Sequence, residues 1–477
     1  MLFWLVIALL IFIFQVGTIL LLEFRNPSKA VAWLFILFCF PLVGFVVYYF
    51  MAQDYKKRKF MRRRGSRLFE ELKDRLWKQT KVIEHPEQME NPGFANQKRL
   101  FNLLSRLSEG PITGCNATSI LTNGEEAFPD MLQAMEGAQH HIHIEFYIFR
   151  NDEIGTRFQQ VLMRKAREGI KVRFVADGLG SYHLPRSFVR DCREAGVEFY
   201  FFLPPLIATL DRRVNYRNHR KIVVVDGIVG FVGGINVGND YLGLYPKHGF
   251  WRDTHIRIEG DGVYILQNTF LGDWQLASGE RIIDESLFPP HQCQGNEQVQ
   301  VLASGPDQDW DAIQEMCFGA LSVAQSRIWL TTPYFIPDPS IYEALKTAAV
   351  SGVDVRIIIP FKSDSVLVQL ASLSYVEELL EAGVRFYQYR KGFIHAKVMI
   401  VDELLASVGT ANLDMRSFFY NFELTAVLFS DEAISRLMQD FEEDLQHSSP
   451  IDYEEFSNRP KTRKAAEMLA RMLSPLL

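Results

Sequence analysis

Two uncharged runs open the chain. Met1 to Leu22 carries no charged side chain, and beyond Glu23, Arg25 and Lys29 the stretch from Ala30 to Gln53 is again uncharged. Runs of 22 and 24 residues each suffice, as helices, to cross about 30 Å of hydrocarbon. The pattern therefore predicts a two-helix transmembrane hairpin over residues 1–53, with Trp33, Tyr48 and Tyr49 as interfacial anchors. The first run lacks the basic start and shorter apolar core of a cleaved leader. Lys56, Lys57, Arg58, Lys59, Arg62, Arg63, Arg64 and Arg67 follow at once, opening a basic juxtamembrane region over 54–111. Positive charge is retained inside, so the expected location is the cell membrane, multi-pass, with the N-terminus and everything after residue 53 cytoplasmic. Such a collar also draws anionic membrane lipids, by about 1 kcal/mol per basic residue.

From residue 112 the pattern changes to apolar strands alternating with amphipathic helices. The run 141–147 reads as a strand, 154–168 as a helix and 169–175 as a second strand, the signature of an α/β fold with a parallel or mixed sheet. The pattern then recurs: 328–335, a helix near 339–350, and 352–359 repeat it, and Glu194-Ala195-Gly196-Val197 is echoed by Glu381-Ala382-Gly383-Val384. Displacements of 176 to 187 residues mark a duplicated domain, not a short solenoid repeat. The expected units are 112–290 and 298–455, followed by an amphipathic tail, 456–477. In that tail Met468, Leu469, Met472, Leu473 and Leu476 fall at helical spacing, suited to packing on the core or lying on the membrane.

Composition narrows the function classes. With 477 residues, 48% hydrophobic, 23% charged and a net charge of −6, the chain is neither disordered nor a disulfide scaffold. The surplus of seven positive charges between Asp54 and Lys78 leaves residues 79–477 at −14. That excludes a nucleic-acid binder with a globally basic surface. Five cysteines, widely spaced and without a Cys-x-x-Cys, fit reduced thiols better than disulfides or a zinc site.

The chemistry lies inside the repeat. His219-Arg220-Lys221 leads through Ile222–Val225 to Asp226, then Gly233-Gly234-Ile235-Asn236; His395-Ala396-Lys397 leads to Asp402, then Gly409-Thr410-Ala411-Asn412. Both read His-x-Lys-x4-Asp-x6-Gly-[Gly/Thr]-x-Asn, displaced by 176 at every position. On a strand, residues two apart share a face, so each His–Lys pair projects together from a sheet end. The glycines permit close backbone approach to a ligand, and Asn236 and Asn412 can donate amide hydrogens to it. Two such edges facing each other would gather two imidazoles, two ammonium groups and two amides around one anion. A phosphodiester suits that set: the cations stabilise transition-state charge, one histidine attacks phosphorus and the other protonates the departing alkoxide. Lysine supplies the positive charge, so no cofactor or metal is expected. For Asp226 and Asp402 a turn or structural ion-pair role stands beside a catalytic one.

These residues resemble the phospholipase D superfamily with its paired motifs and, within it, the bacterial cardiolipin synthases. The narrower likeness rests on Asn26-Pro27-Ser28-Lys29-Ala30-Val31-Ala32-Trp33, on Asn215-Tyr216-Arg217-Asn218 ahead of His219, and on Trp251-Arg252-Asp253-Thr254-His255. Gly392-Phe393-Ile394 ahead of His395, Asn412 to Phe418, Asn421-Phe422-Glu423 and the final Met472 to Leu477 complete it. The likeness covers essentially the whole chain. It implies two phospholipase-D-like α/β/α halves related by pseudo-twofold symmetry, with phosphatidylglycerol as substrate and no nucleic-acid partner; it leaves the oligomeric state open. It further implies His219 as nucleophile and His395 as acid and base, with Asp253 and Glu423 orienting the imidazole of the opposite half.

Three weaker features remain. His141, His143 and Glu145 alternate on one strand but lack the second cluster of a metal site; Glu145, Tyr147 and Tyr334 are candidates for the wall of the site. Phe201 to Ile207, with Pro204 and Pro205, reads either as an apolar loop reaching lipid or as a buried connection.

Overall fold

The computed structural model describes residues 2–24, 27–51, 76–107, 110–205, 208, 215–245, 249–308 and 310–477, the side chains of residues 2, 5, 8 and 51 excepted. The basic collar and part of the 201–207 loop lie outside the described residues.

In the first half β1 (Thr113–Thr122), β2 (His141–Phe146), β3 (Lys171–Asp177), β4 (Glu198–Phe202), β5 (Ile222–Val225), β6 (Val229–Gly233) and β8 (Thr254–Gly260) stand in the order β1-β8-β6-β5-β2-β3-β4. The second half repeats it. Its strands β9 (Glu297–Ser304), β10 (Arg327–Thr331), β12 (Asp354–Pro360), β13 (Arg385–Tyr389), β15 (Val398–Val401), β16 (Leu405–Gly409), β18 (Glu423–Leu428) and β19 (Ser448–Pro450) run β9-β18-β16-β15-β10-β12-β13-β19. Antiparallel pairing of β1 with β9 (Thr113 opposite Val299) joins the halves, so these strands form one 15-stranded sheet, palindromic about its centre except for β19 at one edge. Two small ladders stand outside it, β7 (Phe250–Arg252) with β14 (Gly392–Ile394) and β11 (Phe335–Ile336) with β17 (Leu413–Asp414).

Local chemistry explains the elements. β2, β5 and β15 are buried along their whole length, as strands covered on both faces must be. The Glu153–Arg167 helix starts where Asp152 accepts from Gly155 N at 3.1 Å, and Pro339–Val350 starts with Asp338 as cap and proline at its first position, both ordinary N-terminal signals. The long helices Gly262–Ser278 and Asp431–Gln446 lie over the middle of the sheet. Leu266, Phe270 and Trp274 of one and Ile434, Leu437 and Phe441 of the other belong to a single core that crosses from half to half.

The N-terminal runs depart from expectation. The first is one helix, α1 (Leu2–Leu22). The second is not: α2 (Pro27–Cys39) stops before Phe40-Pro41 and α3 (Pro41–Met51) begins there, because proline donates no helical hydrogen bond and clashes with the preceding turn. The rings of Trp33 and Tyr48 meet edge to face at 5.3 Å, although 15 residues of straight helix would hold them about 22 Å apart. The two pieces therefore fold back on each other, so that a helix is followed by a short helical hairpin where a second continuous helix was expected. Among the described residues no helix is long and apolar enough to cross a membrane.

The thiol expectation is also corrected. Cys115 on β1 and Cys293 ahead of β9 are disulfide-bonded, with Cα atoms 5.1 Å apart across 178 residues of sequence. Sheet pairing at the centre creates that proximity, and spacing along the chain carries no trace of it. The tail forms the helix Lys461–Met472, which packs on the Val366–Leu373 helix, with Ala470 buried and Met468 exposed.

Candidate active site

The lead-in to each motif histidine pairs with a segment of the opposite half. Asn218 bridges in parallel to Phe422, and His219 N donates to Phe422 O at 2.9 Å. In mirror fashion β14 pairs in parallel with β7, and His395 N donates to Arg252 O at 2.7 Å. The residue that follows Phe422 is Glu423, and the one that follows Arg252 is Asp253. This register delivers a carboxylate behind each imidazole: His219 Nδ1 lies 3.0 Å from Glu423 Oε2, and His395 Nδ1 lies 2.7 Å from Asp253 Oδ2. With Nδ1–H given to the acid, Nε2 is the nitrogen left for chemistry. Both imidazoles line one cavity of about 410 Å³, together with Tyr147, Arg217, Asn236, Tyr334 and Arg416.

The electrostatics follow from burial and pairing. Burial opposes ionisation of Glu423, but His219, Lys221 and Thr410 overcome it and hold the carboxyl below its usual range. Asp253 is held down in the same way, against burial, by His395 and Lys397. Burial pushes both imidazoles below the usual histidine value; His395, with Lys397 Nζ 2.9 Å from its Nδ1, falls to about 4. Burial also lowers the lysines, Lys221 to about 7 and Lys397 to about 8, against the opposing pull of Glu423 and Asp253. Each ammonium donates to its own histidine's carbonyl, Lys221 at 2.6 Å and Lys397 at 2.5 Å. Neither lysine lines the cavity, although Lys397 Nζ also lies 3.0 Å from His395 Nε2; Arg217 and Arg416 are cations on the cavity wall itself.

Two buried arginines brace the acids from behind. Arg220, between His219 and Lys221, is fully buried and turned away from the cavity. Its Nε donates to Glu423 O at 3.0 Å, its Nη2 to Ser304 O at 3.0 Å, and its Nη1 to both oxygens of Asp273, at 2.7 and 2.6 Å. Arg252 donates to Asp253 O at 2.6 Å and to Asp444 Oδ1 at 2.9 Å. Asp273 and Asp444 come from the two long helices over the sheet, so each orienting acid has its carbonyl gripped by an arginine that is anchored to a helix. In the second motif Ala396 stands where Arg220 stands in the first.

Not every expected site residue reaches the cavity. Asp226 and Asp402 sit beyond the far ends of β5 and β15, at φ +54° and +49°. The Asp226 carboxylate accepts from the backbone N–H groups of Gln139, His140 and His141, all at 2.8 Å, and Asp402 from Gln325, Ser326 and Arg327. They tie down the chain entering β2 and β10 and do not line the cavity, an arrangement that suits the structural one of the two roles expected for them. The motif glycines make room for protein, not ligand: a methyl group at Gly234 would collide with the Asp253 carboxylate, and one at Gly409 with Thr425. Asn236 Oδ1 accepts from Ile148 N at 3.0 Å, while Asn412 spends its Nδ2–H on Asp414 at 3.0 Å. That bond uses one of the two hydrogens on Asn412 Nδ2, and Asn412 lines the cavity. Tyr147 and Tyr334 line the cavity as expected, but Glu145 is buried against Asn218 and raised well above its usual value, by burial first and then by Asp273. His141 and His143 share Gln267, and His143 also meets Arg173 at 3.0 Å. Among the described residues no group of His, Cys, Asp or Glu is placed to hold a metal ion.

Sequence reasoning missed Arg217, Arg416, Asp364, Leu476 and Leu477 on the wall. Arg217 stands two residues before His219 and Arg416 four after Asn412, so their signal was proximity to the motifs.

Two facing halves, each lending an acid to the other's histidine, define a two-motif enzyme of the phospholipase D type, and the comparisons with known proteins agree. The family model described as cardiolipin synthase, PLD-like domain, matches residues 131–245 and 318–445, and the phospholipase D-nuclease N-terminal model matches 2–53. The cardiolipin synthase of Halalkalibacterium halodurans is 45% identical over 97% of this chain and 92% of its own length, and that of Geobacillus kaustophilus 44% over 97% and 91%. A solved phosphatidylserine synthase of Haemophilus influenzae shares the fold, with a TM-score of 0.63 at 15% identity, over 80% of this chain and all of that one. The chain belongs to the cardiolipin synthase family with phospholipase-D-like domains.

Proposed function

We propose that the protein is a phosphatidyltransferase that joins two phosphatidylglycerol molecules into cardiolipin, releasing glycerol. The carrying observation is the crossed pairing of His219 with Glu423 and His395 with Asp253 around one cavity; identity of 45% to a protein named cardiolipin synthase supports it. Following the family likeness, His219 Nε2 attacks phosphorus and the P–O bond to glycerol breaks as His395 gives its Nε2 proton to the leaving oxygen. Phosphate binding adds the negative charge that favours the protonated imidazole. A hydroxyl of a second phosphatidylglycerol then passes its proton back to His395, its oxygen bonds to phosphorus, and the N–P bond breaks. Glu423 and Asp253 stabilise each imidazolium as it forms. Asn236, Arg217 and Arg416 are the groups proposed to meet phosphate oxygens, with Lys221 and Lys397 adding positive potential.

The protein is further proposed to be membrane-anchored through residues 1–53, with anionic lipids as neighbours and the two halves in the cytoplasm. Incubating purified wild type, His219→Ala and His395→Ala with phosphatidylglycerol vesicles tests the reaction. Cardiolipin and glycerol in equal amounts from wild type alone is the expected result; phosphatidic acid as the sole lipid product would make the protein a hydrolase instead.

A further inference from the structure

We infer that α2 and α3 form a re-entrant hairpin, which enters one leaflet of the bilayer from the side of the catalytic halves and returns to that same side. This rests on the membrane anchoring proposed above and changes its geometry. Helices of 13 and 11 residues are about 20 and 17 Å long, short of a 30 Å crossing and matched to a single leaflet.

Three observations fix the direction. First, the turn is tight: a methyl group at Gly44 would stand 2.9 Å from Ile36 O and 3.1 Å from Leu37 Cα, so α3 lies directly against α2. Second, the open end of the hairpin is docked on the catalytic halves. Lys29, 4% exposed, pairs with Glu23 at 3.3 Å and lies 5.5 Å from the ring of Tyr420, the residue before Asn421 in the cavity wall. Leu476 packs against the cluster of Ile19, Trp33, Leu37 and Tyr48 and also lines the cavity. Third, the closed end is bare and apolar, with Phe38 77%, Phe40 62%, Leu42 70% and Val43 65% exposed. Water on that tip would be costly, since each such side chain gains about 1.5–3 kcal/mol on leaving it; the acyl region of one leaflet is the occupant that fits. A buried ion pair at one end and uncovered phenylalanines at the other give the hairpin a polarity that a two-span hairpin lacks.

Phe24 and Ser28 then lie on the same side as the cavity, and lipid reaches the cavity from the leaflet that holds the hairpin, past the shared wall at Leu476. Sidedness of labelling tests this. Phe24→Cys and Ser28→Cys, each in a full chain carrying Cys39→Ala, are compared with Glu280→Cys on the catalytic halves. Right-side-out and inside-out membrane vesicles are treated with a membrane-impermeant maleimide. Both connection cysteines are expected to label from the same face as Glu280→Cys, at least tenfold over the other face. Labelling from the opposite face would overturn the re-entrant geometry. So would protection from both faces, which would bury the open end in lipid. Cardiolipin formation measured on the same vesicles keeps the two readings apart: wrong-face labelling with activity intact sinks the hairpin geometry alone.

Discussion

His219 and Glu423 are 204 residues apart in sequence, in different halves, yet the imidazole Nδ1 and the carboxylate meet at 3.0 Å. The same exchange joins His395 to Asp253. Coupling should therefore run across the halves. In double-mutant cycles on kcat, His219→Gln with Glu423→Gln, and His395→Gln with Asp253→Asn, should each be strongly non-additive, by about 1.5–3 kcal/mol. The within-half combinations of His219 with Asp253 and His395 with Glu423 should add to within about 0.5 kcal/mol. The reverse pattern would mean that the crossed contacts are not those used in turnover.

Arg220 and Arg252 grip carbonyl oxygens, not side chains, so geometry should suffer more than charge. Arg220→Lys keeps the positive charge beside Asp273 but loses the fork that also holds Glu423 O and Ser304 O. A drop in kcat of about 10–100-fold, with KM for phosphatidylglycerol within about twofold, is expected from a misplaced imidazole. Arg220→Ala should instead destabilise the fold by about 3–5 kcal/mol, because it strands a buried carboxylate; chemical denaturation reads that loss.

Depressed lysines make the free site sensitive to alkali. Each ammonium is charged below its own value, about 7 for Lys221 and about 8 for Lys397, and neutral above it. Positive potential therefore fades as pH rises from about 7 to 8, and kcat/KM should fall across that window. On the acid side burial keeps His219 neutral below the usual histidine value, so activity should persist under mildly acidic conditions where an exposed histidine would already be half protonated. A profile flat to pH 10 would contradict the burial of both lysines.

Asp226 offers the converse test. Its carboxylate holds three backbone N–H groups far from the cavity. Asp226→Ala should cost about 2–4 kcal/mol of stability while kcat per folded molecule stays within about twofold. A selective loss of kcat at unchanged stability would restore Asp226 to the chemistry.

Acid-quench trapping with a radiolabelled phosphatidyl donor, followed by peptide mapping, should place the label on His219. Label on His395 would exchange the two roles without disturbing the crossed pairing, since the motif is symmetric.

The duplicated α/β pattern and the paired histidines and lysines were legible because they repeat at a constant displacement of 176 residues; the acids Asp253 and Glu423, 170 residues apart, fall outside that repeat and were expected only from the family likeness. What escaped was set by tertiary pairing. Asp273 and Asp444 sit in helices that carry no motif, and Cys115 meets Cys293 only because β1 and β9 are neighbours. Asp226 and Asp402 sit inside the motif, but their spacing counts residues along a strand, and four strand residues carry them to its opposite end. The break at Pro41 was visible as a proline in mid-run; hydrophobicity alone hid it.

The palindromic sheet has a consequence for how such a protein can change. Because every imidazole borrows its acid from the other half, neither half can drift alone: a substitution in one copy is felt at once by the chemistry of its twin. The two copies are heirs of a duplication that can no longer be divided, and a gene encoding either one by itself would inherit a histidine without its partner.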